Sequence, residues 1–312
     1  MIQGSELLAG MVKAPTTLPN GLPLSGGTTE DWTAALAPFV TAGFQGVEIH
    51  DGWMPFPLFT DSQIQQLQHA LEDTGLHSPA AAIARHSVIE PGAGEDNLAY
   101  TLRGLEVAKK LGADMVCVGL HPVLTPTQHA QKYFWEAPGR RDETDSATWD
   151  IAVERFQIIA DRAAELGQDI SLEIYEDTLL GQTSSALQLL SDIHRDNVGL
   201  NPDIGNLLRL DRPMEHWRDM LEQMLPVSNY WHVKNYVRTD REDGADTAPT
   251  TLENGVIDYR EALRMAHDVG FDGILVCEQY SDDWLEVIES NRVFLEHEIR
   301  QLHASVSSEA AS

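Results

Sequence analysis

The feature that most constrains this chain is a recurring punctuation of helix, glycine and strand. Gly43, Gly75, Gly112, Gly167 and Gly270 each fall one or two residues past a segment of helical period, just before a short β-branched run. Glycine ends helices there because it enters the left-handed region without a Cβ clash. A helix that repeatedly returns to a strand is a βα unit, and consecutive units build a parallel sheet. Eight strand-like runs are visible: Leu8–Val12, Gly46–His50, Pro79–Ala84, Asp114–Leu120, Asp169–Ile174, Val198–Pro202, Asn229–Val233 and Gly273–Cys277. Amphipathic segments separate them, at Thr29–Thr41, Ser62–Asp73, Asn97–Leu111, Ala147–Leu166, Ser184–Ile193, Pro213–Met224, Tyr259–Val269 and Asp283–Leu302. In the fourth, Val153, Phe156, Ala160 and Ala163 recur at steps of three and four, which is one face of a helix.

Eight such units in 312 residues predict an α/β fold, a (β/α)8 TIM barrel. A doubly wound open sheet is the competitor, but no Gly-x-Gly-x-x-Gly turn follows an early strand. The expected organisation is one barrel over residues 1–303, with the small, polar tail 304–312 disordered. His121–Ser146 and Val237–Val256 are longer than a simple unit needs. In a barrel both lie on the C-terminal face, where long βα loops build substrate pockets.

Composition narrows the partners. Hydrophobic residues make up 42% of the chain, enough for a full core, yet no run approaches the ~20 apolar residues of a membrane span. The N-terminus lacks a basic region followed by an apolar stretch, so the expected location is cytoplasmic, away from membranes. With 49 Asp+Glu against 21 Lys+Arg, a net charge of −28 repels nucleic acid and anionic lipid. Cys117 and Cys277 lie inside apolar runs and imply neither a disulfide framework nor a cysteine zinc site.

Four strand-like runs end in side chains that bind metals. They are Ser171-Leu-Glu173-Ile, Val198-Gly-Leu-Asn-Pro-Asp203, Tyr230-Trp231-His232-Val233-Lys234-Asn235-Tyr236 and Gly273-Ile-Leu-Val-Cys-Glu278. The intervals are 30, 29 and 46 residues, the last enlarged by the loop Val237–Val256. A βα unit takes roughly thirty residues, so the four positions are equivalent, at the ends of strands five to eight. Glu173, Asp203, His232 and Glu278 are therefore expected to share one divalent ion. Three carboxylates and one imidazole suit Mn2+ first, with Mg2+, Co2+ or Zn2+ as alternatives. A salt-bridge network is the competing reading. Against it, strands of a parallel barrel have no watered face, and buried anions without a cation are expensive.

The order Glu, Asp, His, Glu on strands five to eight resembles the sugar phosphate isomerase/epimerase superfamily of xylose isomerase-like barrels. Gly43-Phe-Gln-Gly-Val-Glu48 resembles that family's second strand. In its ketose epimerases two glutamates bind the metal and also move protons at the substrate carbon. The resemblance assigns those roles to Glu173 and Glu278, leaving Asp203 and His232 as the other ligands. Such a site can polarise a ketone and its neighbouring hydroxyl while a carboxylate removes the proton between them. A second carboxylate returning the proton gives epimerisation, and expulsion of a group from the next carbon gives elimination.

Two runs depart from the epimerase pattern. Asp203-Ile-Gly-Asn206 carries asparagine where epimerases and related DNA-repair endonucleases often have histidine. His232-Val-Lys234-Asn235 is similar to the His-x-Lys-Asp run of inosose dehydratases. The longer run Trp231–Tyr236, with Glu278-Gln-Tyr280, resembles the larger subunits of bacterial C-glycoside deglycosidases. That resemblance implies β-elimination from a 3-oxo-glycoside, with a smaller second subunit as a partner. This is the preferred reading. Epimerisation or aldose–ketose isomerisation of an unphosphorylated sugar is the alternative, and a non-catalytic barrel subunit of a complex is the alternative of another class.

Further candidates surround these. Lys234 either polarises a substrate oxygen or pairs with an acidic ligand. His50, His86 and His121 follow strands two, three and four, where an imidazole can serve as acid to a leaving group. His121 ranks first because it opens the aromatic loop, and His50 ranks second. Trp53, Tyr133, Phe134, Trp135 and Tyr280 are expected to wall a sugar face or an aglycone, or to cover a partner interface. Arg140, Arg141 and Arg238 are the candidates to grip a phosphate, and without a glycine-rich cradle the expected substrate carries none.

Overall fold

The chain folds as eight parallel strands curled into a barrel. The computed structural model describes residues 6–242 and 244–309. The barrel strands are β1 (Leu7–Gly10), β2 (Gly46–His50), β3 (His77–Ile83), β4 (Met115–Val118), β5 (Asp169–Glu173), β6 (Val198–Asn201), β7 (Tyr230–Val233) and β10 (Ile274–Cys277). They pair in the order β6-β5-β4-β3-β2-β1-β10-β7. The remaining seam, between β6 and β7, is closed by a parallel bridge from Leu200 to Ser228. There the Asn201 amide oxygen also accepts the His232 backbone N–H at 2.8 Å.

Helices follow the strands as the sequence pattern predicts. They are α1 (Thr29–Thr41), α2 (Asp61–Thr74), α3 (Gly94–Lys110), α4 (Pro126–His129), α5 (Ser146–Leu166), α6 (Thr183–Ile193), α7 (Gly205–Leu208), α8 (Trp217–Met224), α9 (Tyr259–Asp268) and α10 (Trp284–Glu309). Thr28 and Thr60 start α1 and α2 with capping boxes, reciprocated by Asp31 and Gln63. All five punctuating glycines adopt positive φ, between 66° and 98°. At Gly167 this left-handed turn stops α5 and sends the chain straight into β5.

Two layers of core result. The larger lies between strands and helices, with Trp32, Phe39, Phe156, Leu200 and Trp231 fully buried in it. The smaller fills the barrel itself: Leu8, Ala80, Ala82, Met115, Cys117, Tyr230 and Val276. Two alanines of β3 leave room for the Tyr230 ring, so the lumen is packed and only the C-terminal mouth is open to chemistry.

Two expectations are corrected. Val237–Val256 is not plain loop, for it contains an antiparallel hairpin, β8 (Asn235–Arg241) with β9 (Gly244–Thr250). Its Asp, Thr, Pro and Gly content hides it, because much of the hairpin is exposed and carries no alternating hydrophobic signal. The tail is helical as far as Glu309, since nothing after the packed turns of α10 breaks the helix. Residues 310–312 lie outside the described residues. No helix among those described is long and apolar enough to cross a membrane.

Candidate metal centre

The four ligand candidates meet at the barrel mouth. Glu173 ends β5, Asp203 follows β6, His232 sits in β7 and Glu278 follows β10, and these strands are consecutive around the barrel. One ligand atom from each lies within 4.8 Å of every other, and all four side chains are buried. His232 Nδ1 is 3.7 Å from Glu173 Oε1, 3.8 Å from Asp203 Oδ2 and 3.9 Å from Glu278 Oε2. Those spacings are too long for hydrogen bonds. They suit atoms that share an ion, since metal–ligand bonds of about 2.0–2.3 Å set neighbouring ligands roughly 3–4 Å apart.

His232 is oriented from behind. Its Nε2 is 2.7 Å from Glu48 Oε1, which also accepts the Tyr230 hydroxyl at 2.6 Å. With Nε2 facing the Glu48 carboxylate, Nδ1 faces the acidic group and, once it gives up its proton, presents a lone pair there, the arrangement in which an imidazole ligates a metal. His232 Nδ1 and Asp203 Oδ1 are both buried without a hydrogen-bond partner, so the donor set fits a divalent cation.

The surrounding side chains hold the carboxylates in place. Asn206 Nδ2 donates to Glu173 Oε1 at 2.9 Å and to Asp203 Oδ2 at 3.1 Å. His121 Nε2 lies 3.2 Å from Glu173 Oε2, and Cys117 Sγ is 3.9 Å from the same oxygen. The Tyr280 hydroxyl donates to Glu278 Oε1 at 3.0 Å. Lys234 Nζ is 2.5 Å from Asp203 Oδ2 and also pairs with Glu278 Oε2. Gly205 is required by this packing, because a Cβ there would stand 2.7 Å from Lys234 Cγ.

Protonation follows from these contacts. Burial pushes the Glu173 carboxyl up, but the His121 and His232 imidazoles outweigh it and hold it well below the usual range. Burial also opposes ionisation of Glu278, yet Lys234 and His232 keep it low. Asp203 behaves differently: burial, aided by the charges of Glu278 and Glu173, raises it well above a normal aspartate despite Lys234. For His232, burial is overcome by Glu48 and Glu173, which raise it well above an ordinary imidazole. The protein alone thus meets the acidic cluster with protons and with Lys234, a load that a bound cation would take over.

Other predicted residues disperse. His50 Nδ1 accepts the Gly52 backbone N–H at 2.8 Å and sits 3.6 Å from Asp51. His86 lies 3.1 Å from Asp51 and stacks on Tyr100. Neither belongs to the ligand group. Trp53 is buried away from the aromatic loop, its Nε1 donating to the Pro15 carbonyl. Tyr133, Phe134, Trp135 and Tyr280 do cluster, packed with Leu210 and Tyr236. Arg140 is occupied by Glu90, Arg141 by Asp177, and Arg238 by Asp240 and three loop carbonyls. Sequence reasoning overlooked Arg209, fully buried and paired with Glu176 beside the aromatic cluster. Its position six residues past Asp203, just after α7, carries no motif, so only the fold reveals it.

Fold and donor set together define an α/β barrel of the kind that carries a candidate metal site at its strand ends. The chain belongs to the xylose isomerase-like TIM barrel family, whose model matches residues 36–300. It is 35% identical to a xylose isomerase-like TIM barrel protein from Mycobacterium smegmatis whose crystal structure is a complex with magnesium. That match has a TM-score of 0.90 and covers 95% of this chain and 97% of the other. The chain is also 25% identical over 252 residues to a ketose 3-epimerase of Arthrobacter globiformis, covering 77% of this chain and 74% of that one. An L-ribulose-5-phosphate 3-epimerase of Salmonella paratyphi A is 24% identical over 262 residues, covering 81% and 84%.

Proposed function

We propose that the protein is a divalent-metal-dependent ketose 3-epimerase acting on an unphosphorylated sugar. The observation that carries this reading is the position of Glu173 and Glu278 on the first and last of four consecutive strands, β5, β6, β7 and β10. Two carboxylates approaching one site from opposite sides can serve the two faces of a single carbon. An ion held by Glu173, Asp203, His232 and Glu278 would act as a Lewis acid towards a ketone and its neighbouring hydroxyl. Mn2+ suits this donor set, and the magnesium complex of the relative at 35% identity supports Mg2+ as another occupant.

The protein's own groups supply the proton chemistry. Glu173 and Glu278 are both held ionised, so either can accept the proton from the carbon beside the ketone. Asn206 and His121 fix the two oxygens of Glu173, and Tyr280 and Lys234 fix those of Glu278. One carboxylate takes the proton, and the opposite one, first protonated from solvent, delivers its own to the other face, which inverts the centre and leaves the first carboxyl to release its proton to water. The occupied state of Arg140, Arg141 and Arg238 favours a substrate without phosphate. Two of the relatives named above, a ketose 3-epimerase and an L-ribulose-5-phosphate 3-epimerase, favour this reading over elimination from a 3-oxo-glycoside.

Incubation of the Mn2+-loaded protein with neutral ketohexoses in D2O tests it. Deuterium at C3 with formation of the C3 epimer is expected, and Glu173→Gln or Glu278→Gln should slow exchange at least a hundredfold. Aglycone release from a 3-oxo-glycoside, without deuterium exchange into ketoses, would replace this reading with elimination.

A further inference from the structure

Beside the ligand group, four hydrogen-bond donors are buried without a partner: Arg209 Nε and Nη1, Trp135 Nε1 and the Tyr236 hydroxyl. Arg209 and Tyr236 are each 1% exposed and Trp135 is 7% exposed, so bulk water does not satisfy them. A buried donor left unpaired is costly, and four together call for an acceptor-rich occupant.

The four belong to one cluster. The Arg209 guanidinium is 4.6 Å from the Trp135 ring centre, and the Trp135 and Tyr236 rings are 5.7 Å apart. Tyr280 links them to the metal ligands. Its ring lies 5.3 Å from Trp135 and 5.6 Å from the Arg209 guanidinium, while its hydroxyl reaches Glu278. A cleft of about 250 Å3 opens alongside; Trp135 and Glu176 line it together with Arg85 and Arg140, whereas Arg209 and Tyr236 are not among its lining residues.

Chemistry narrows the occupant. Guanidinium and indole N–H groups only donate, so the facing ligand atoms accept. Both carboxylate oxygens of Glu176 take hydrogen bonds from Arg209 Nη2, at 2.9 and 2.8 Å, so the guanidinium charge is already matched. An anionic group beside Arg209 would meet the Glu176 and Glu278 carboxylates, while the nearby cation Arg85, 4.7 Å over Phe134, already spends its Nη groups on the Pro122 carbonyl and the Tyr175 hydroxyl. Neutral hydroxyl oxygens over aromatic faces fit instead.

We propose that Arg209, Trp135 and Tyr236 form a second sugar subsite, which holds the hydroxyl-bearing end of a neutral ketose remote from the reacting carbon. The proposal rests on the epimerase reading above. Calorimetric titration of the Mn2+-loaded protein tests it with a neutral ketohexose, its 6-deoxy analogue and its 6-phosphate. Tyr236→Phe deletes one donor and keeps the ring, and Trp135→Phe deletes one donor and leaves a smaller aromatic ring. Each should weaken ketohexose binding about three- to tenfold and leave binding of the 6-deoxy analogue within twofold of the wild type. The melting temperature of sugar-free Tyr236→Phe should not fall, because the lost hydroxyl has no partner. Unchanged ketohexose affinity in both variants overturns the subsite and leaves the epimerase reading standing. A fall in melting temperature with equal losses for both sugars assigns the hydroxyl a structural role and also overturns it. Tighter binding of the 6-phosphate than of the free sugar refutes the neutral ligand class. Absence of any ketose binding and exchange by the wild type overturns the epimerase reading, and the subsite with it.

Discussion

Lys234 Nζ lies 2.5 Å from Asp203 Oδ2, the same carboxylate oxygen that stands 3.8 Å from His232 Nδ1. The ammonium therefore serves as counter-ion to the group of carboxylates proposed to bind a metal. Its pairing with Glu278 strengthens that role.

Lysine and metal should share this work. Lys234→Met removes a buried positive charge from two carboxylates, Asp203 and Glu278, a loss of about 3–5 kcal/mol for a broken buried pair. In chelator the variant should melt far below the wild type, and saturating Mn2+ should recover most of the difference. Thermal melts of both proteins with and without the ion measure this. An equal deficit in both conditions would show that lysine and ion carry independent charges.

Glu48 orients the imidazole and is expected to set metal affinity without touching the ion. Glu48→Gln replaces an anionic acceptor for His232 Nε2 with a neutral one, which should weaken metal binding about 10- to 100-fold. His232→Ala should abolish most of the rise in melting temperature that the ion produces. Metal titration by calorimetry and by melting checks both. Full retention of the ion in His232→Ala would refute the ligand set.

Asn235, next to Lys234, holds backbone. Its Nδ2 donates to the Leu252 and Ile257 carbonyls at 2.9 Å each, and its Oδ1 accepts the Ile257 N–H at 3.1 Å. Asn235→Ala leaves those buried groups unpaired and should destabilise the protein by about 2–4 kcal/mol. Metal affinity, measured below the melting transition, should change less than twofold. A selective loss of metal binding with normal stability would give Asn235 a place in the site.

Asp142 supplies a pH signature outside the site. Burial pushes its carboxyl up to about 6, against the Leu179 backbone N–H and Arg140. A carboxyl raised in the folded state stabilises the fold below its unfolded pKa, and that contribution is lost as pH rises through about 6. Melting temperature should therefore carry a falling contribution between pH 4 and 6. Asp142→Asn should remove it and raise the pH 7 melting temperature by about 1–4 °C. Parallel pH profiles that differ only by a constant offset would argue against it.

The elements were legible where local and global demands agree. The glycines after helices fixed the βα rhythm, because only a residue without Cβ turns left-handed at small cost, and each of the five does so. Equal spacing placed Glu173, Asp203 and His232 at matching strand ends, and with Glu278 they converge as expected. The hairpin β8–β9 escaped notice because its pairing is antiparallel, largely exposed and built from residues with weak strand preference. The backbone role of Asn235 was hidden for a related reason: an amide at a strand end looks the same in sequence whether it meets substrate or backbone.

A barrel and four candidate ligands at its strand ends were legible in the sequence, since both follow from periodicity and from the cost of burying acids in a packed sheet. Which groups stand behind those ligands depended on contacts between distant segments. Glu48 reaches His232 across 184 positions, and Arg209 meets an aromatic loop some 75 residues earlier. Side chains so far apart in sequence have no mutual register until the barrel closes, so only the tertiary structure could decide their partners.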